Sequence, residues 1–72
     1  MQSFTVKAFV GPPGVKEWCD KLRGAGFKDV SDGTEHVYVS SEGSDRSAAA
    51  WNATVDFERA FGRMSGISFR TV

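Results

Sequence analysis

The chain has 72 residues, 40% of them hydrophobic and 25% charged, and its nine basic and nine acidic side chains cancel. This balance excludes a disordered chain and predicts one domain, 1–72, with a stability of about 4–11 kcal/mol. It also excludes a long-range pull of the whole molecule on nucleic acid or anionic membrane, and the one cysteine cannot form an internal disulfide.

Phe4, Val6, Ala8 and Val10 alternate with Thr5, Lys7 and Phe9, which predicts a strand over 3–10. Gly11-Pro12-Pro13-Gly14 stops it, and Pro13 suits the first turn of a helix. Residues 14–24 follow helical spacing, with Val15, Trp18, Cys19 and Leu22 on one arc. Glu17 precedes Lys21 by four residues, the favourable order for a surface pair. Gly24 is the expected closing glycine, with Phe27 folding back on the apolar face.

A weaker strand is predicted over 26–31, followed by an Asp32-Gly33 hairpin turn and a clearly alternating strand over 35–40. Ser41-Glu42-Gly43-Ser44 is expected to break that strand and to supply a helix N-cap at Ser41 or Ser44, with Asp45 in the first turn. A long helix is predicted over about 45–64, ended by Gly66, and a last strand carries Ile67, Phe69 and Thr71. The expected core adds Val37, Val39, Ala49, Ala53, Phe57, Ala60, Phe61, Met64, Ile67 and Phe69 to the apolar residues of the first half.

The order strand, helix, strand, strand, helix, strand resembles the ferredoxin-like superfold over the whole chain. It implies an α+β sandwich in which a four-stranded antiparallel sheet carries two helices on one face, with strands one and three central. That fold hosts many functions and names none.

Two surfaces remain once the core is filled. On the long helix, Trp51 and Val55 lie on the side away from the apolar arc. Trp51 either folds over the Gly43 loop or the last strand, or stands free as an anchor for a partner. On the outer face of the sheet, alternation places Phe9, His36 and Tyr38, flanked by Lys7 and Arg70. Aromatic rings so placed are similar to the layout of RNA-recognition motifs, which implies stacking on bases. The chain departs from that family in carrying His36-Val37-Tyr38-Val39 where a Gly-Phe-Gly-Phe-type run is usual, and in lacking a net positive charge. A protein partner, a second copy of the chain, or solvent alone are the other readings of this face.

No catalytic constellation emerges. A lone histidine and a lone cysteine supply no metal cluster. The Gly11–Gly14 loop lacks the Cys-x-x-Cys of copper-chaperone members of the superfold and the arginine of small acylphosphatases, and its two prolines remove donors a phosphate cradle needs. Cys19 and His36 are expected on opposite sides of the sheet. The carboxylates are expected to solvate turns and helices.

The expectation is therefore a non-enzymatic protein-interaction module without cofactor or metal, using Lys7, Phe9, His36, Tyr38 and Arg70, or Trp51 and Val55, or both. One face is expected to form a homodimer while the other meets a protein partner. The alternative is a single-stranded nucleic-acid binder acting through the sheet face. No apolar run nears the ~20 residues of a membrane helix, and the first residues lack a signal-peptide core. A cytoplasmic protein is expected, of the kind phages and mobile elements use to redirect a host protein.

Overall fold

The computed structural model of the chain describes residues 2–62 and 67–72. Strand β1 (Gln2–Phe9) leads through a single 3-10 turn, Pro12–Gly14, into helix α1 (Val15–Gly24). Strands β2 (Lys28–Asp32) and β3 (His36–Gly43) follow, then helix α2 (Arg46–Phe61) and strand β4 (Phe69–Thr71). The sheet is antiparallel with order β2-β3-β1-β4. This is the ferredoxin-like βαββαβ arrangement, with strands one and three central as the sequence pattern predicts.

Alternation along the strands decides which face is covered. Val6, Ala8, Val37, Val39 and Phe69 point to one side and meet Val15, Cys19 and Leu22 of α1 and Ala49, Ala53 and Phe57 of α2. Both helices therefore occupy that face. Trp18 is half-buried and joins the two helices, its ring 5.2 Å from Phe57 and 5.3 Å from Phe61, while Phe57 also meets Phe69. Glu17 and Lys21 pair at 3.3 Å, as their spacing predicts.

Several boundaries differ from the sequence expectation, each for a local reason. Helix α1 is closed by Gly26 rather than Gly24. Gly26 has φ +91° and donates its N–H to the Arg23 carbonyl, and Phe27 donates to Leu22, both at 3.1 Å. That pair of hydrogen bonds is the Schellman motif, which places the left-handed residue, Gly26, one position beyond the cap residue Ala25.

Strand β3 runs on through Gly43 because β1 is long enough to pair with it as far as Gln2↔Gly43. The N-cap of α2 is consequently Asp45, neither Ser41 nor Ser44; its carboxylate accepts the Ala48 N–H at 2.8 Å. Ser41 is buried instead, donating its hydroxyl to the Ala49 carbonyl at 2.7 Å. Helix α2 ends at Gly62, φ +80°, whose N–H donates to Glu58 at 2.7 Å. The expected stop at Gly66 and the core assignment of Met64 lie outside the described residues. Ala60, expected in the core, is exposed because it borders an open cleft.

The weak pattern of β2 reflects a bulge. Lys28 pairs with Ser40 and Ser31 with Tyr38, so Asp29 and Val30 together oppose Val39. Asp29 takes φ +53° and accepts the Ser40 hydroxyl at 2.7 Å, which lets Val30 turn toward the core.

Candidate functional site

The first candidate surface is the open face of the sheet. Register places Ser31, Tyr38, Lys7 and Arg70 in one row across all four strands, since Tyr38 pairs with Ser31 and Lys7, and Lys7 with Arg70. In the next row Phe9 pairs with His36. Their rings meet edge to face, centroids 5.5 Å apart at 75°. Phe9 remains 56% exposed, while Lys7, His36 and Tyr38 are half-buried and Arg70 is exposed. All five expected residues thus share the face that no helix covers.

The hairpin supports this face in a way the Asp32-Gly33 signal does not reveal. The connection is three residues long, Gly33 to Glu35, and Gly33 lacks a positive φ. Its N–H donates to the His36 carbonyl at 2.8 Å. A Cβ there would stand 2.7 Å from the Tyr38 ring, so glycine gives that ring its place. The Glu35 carbonyl accepts the N–H groups of Val10 and Gly11, which ties the end of β1 to the same hairpin. Lys7, Phe9, His36, Ser68 and Arg70 line a pocket of about 310 Å³.

The second surface is α2. Trp51 is 69% exposed, so most of its side chain stands free of the fold. Val55, expected beside it on the outer side, is half-buried and turns toward a cleft of about 750 Å³ between α2, the α1–β2 connection and the ends of β1 and β3. Lys28, Asp29, Glu42, Asp56 and Arg59 reach that cleft, a mixed set of charges, and Asn52 on its border donates to the Glu42 carbonyl at 2.9 Å. The polar neighbours of Trp51 serve the fold: Thr54 accepts the Phe69 N–H at 3.0 Å. The cleft was not legible in the sequence, because its walls come from four separate elements.

Cys19 lies in the core on the helix side and His36 on the open side, so the sheet separates them. Burial pushes the Cys19 thiol up from its ordinary value, the reverse of what a nucleophile needs. Among the described residues no three His, Cys, Asp or Glu side chains gather as metal ligands. None of the described helices is long and apolar enough to cross a membrane. No protein-family model, curated protein or solved structure matches the chain.

Proposed function

We propose that the chain is a small, non-enzymatic protein-interaction module whose main anchor is Trp51 on the outer side of α2. The observation that carries this reading is the 69% exposure of a tryptophan in the middle of a well-capped helix. Among the described residues only Phe9, Trp51 and Val72 are large hydrophobics left exposed. Tryptophan is enriched among the few residues that dominate protein interfaces, and it offers a large rigid area at low entropic cost. The helix around it mixes charges of both signs, Asp56 and Glu58 with Arg59, which suits a protein surface better than a polyanion. The open sheet face is the second surface, for a further contact or a second copy of the chain. A buried thiol that forms no disulfide fits a reducing cytoplasm.

The test compares Trp51→Ala with Trp18→Ala. Trp51→Ala should hold the melting temperature within about 4 °C, whereas Trp18→Ala should lower it by more than about 10 °C. Immobilised wild-type chain should retain a specific protein from an extract of the source cells, and folded Trp51→Ala should lose it. Equal retention by both would overturn the reading.

A second reading, single-stranded nucleic acid, is favoured by one observation: Phe9, His36 and Tyr38 share the open face with Lys7 and Arg70.

A further inference from the structure

The cross-strand pair Lys7↔Arg70 sets two like charges directly opposite each other. Such a pair destabilises a sheet unless something neutralises it. Among the described residues no carboxylate pairs with either: the ion pairs there are Lys21 with Glu17 and Arg23 with Asp20, both on α1. The other neighbour of Lys7 in register is Tyr38, which is not a carboxylate. Beside the two cations the pocket of about 310 Å³ presents the Ser68 hydroxyl and the His36 ring, with Phe9 forming an apolar wall held edge-on against His36.

We propose that this pocket binds a phosphate monoester dianion. Two cations match its charge, and the guanidinium of Arg70 can grip two of its oxygens while Lys7 acts as a point charge. The Ser68 hydroxyl is a neutral donor for a further oxygen. The exposed ring of Phe9 lines the same pocket, so an aromatic or apolar ester gains contact that free phosphate does not. The pocket lies on the opposite side of the sheet from Trp51, and the inference does not depend on the protein-partner reading.

His36 is the one histidine of the chain and lines the pocket, so its ring-proton NMR signals report occupancy directly. The full chain is titrated with inorganic phosphate, phenyl phosphate and a single-stranded oligonucleotide, at constant ionic strength maintained with sodium chloride. Saturable shifts of the His36 signals are expected with phosphate and phenyl phosphate. Tighter binding of phenyl phosphate than of inorganic phosphate is the expected result, and equal or weaker binding would overturn the assignment of an ester. Arg70→Gln and Lys7→Gln should each weaken binding about tenfold, since each removes a charged hydrogen bond. Lys16→Gln on exposed α1 should change nothing. As a second readout, Arg70→Gln without ligand should be no less stable than wild type at low salt, because the like-charge pair is gone. Linear, non-saturating shifts, or equal affinity in Arg70→Gln, would overturn the proposal. So would a response to the oligonucleotide alone.

Discussion

Trp18 and Trp51 show how far position outweighs residue type. Trp18 meets Phe57 and Phe61, and Lys21 lies 4.6 Å above its ring; its loss opens a gap between the helices. Trp51 makes none of these ring contacts among the described residues, so its large apolar area is free for another molecule. Cys19 carries a prediction at the same scale. Burial raises its folded value above the ordinary 9.0, so the thiol contributes stability that is present below 9.0 and is lost as pH rises through the folded value. Native protein at pH 8 should resist a thiol reagent such as dithionitrobenzoate, react fully once unfolded in guanidinium, and lose stability above pH 9. Rapid labelling of the native state would contradict the buried placement.

At the scale of elements, the ends are set by tertiary pairing more than by local signals. Ser41, Ser44 and Asp45 are all good N-caps by type. Asp45 takes the cap, and Ser41 is withdrawn from it because β1 extends β3 past Ser41 and buries it against α2. The same packing leaves no room for a side chain at Gly43. A Cβ there would stand 2.5 Å from the Ala49 nitrogen and 2.9 Å from the Ala48 carbonyl carbon, both backbone atoms that cannot swing aside. Gly43→Ala should therefore cost about 1–3 kcal/mol, read as a lower denaturant midpoint with an unchanged slope. Gly24→Ala, with nothing within 4 Å and an ordinary helical φ, should be neutral or slightly stabilising. If the two changes cost the same, the close approach of α2 to β3 is wrong.

For the whole molecule, the topology separates the two candidate surfaces. Helices on one side of the sheet carry Trp51 outward, and the bare side carries Phe9, His36, Tyr38, Lys7 and Arg70. Net neutrality bears on what each surface attracts. With nine charges of each sign, any hold on nucleic acid has to come from a local patch, and on the open face that patch is Lys7 with Arg70. Fluorescently labelled single strands should show no binding by anisotropy at about 150 mM salt. Affinity that appears there, falls steeply with added salt and disappears in Tyr38→Ala would replace the protein-partner reading with the nucleic-acid one.

The amino-acid pattern by itself determined the six main elements, their order, the central pair of strands and the composition of the open face. Those properties follow from periods of two and 3.6 residues and from the handedness of crossovers, which are local and general. It also left Trp51 off the apolar arc of α2, without saying whether it was covered. Tertiary structure decided what depends on two distant segments meeting. That includes the bulge at Asp29, the cap at Asp45, the close approach at Gly43, the exposure of Trp51, the turn of Val55 into a cleft, and the unneutralised pairing of Lys7 with Arg70. Each depends on where a second segment lies, and no periodicity within one segment encodes its neighbour's position.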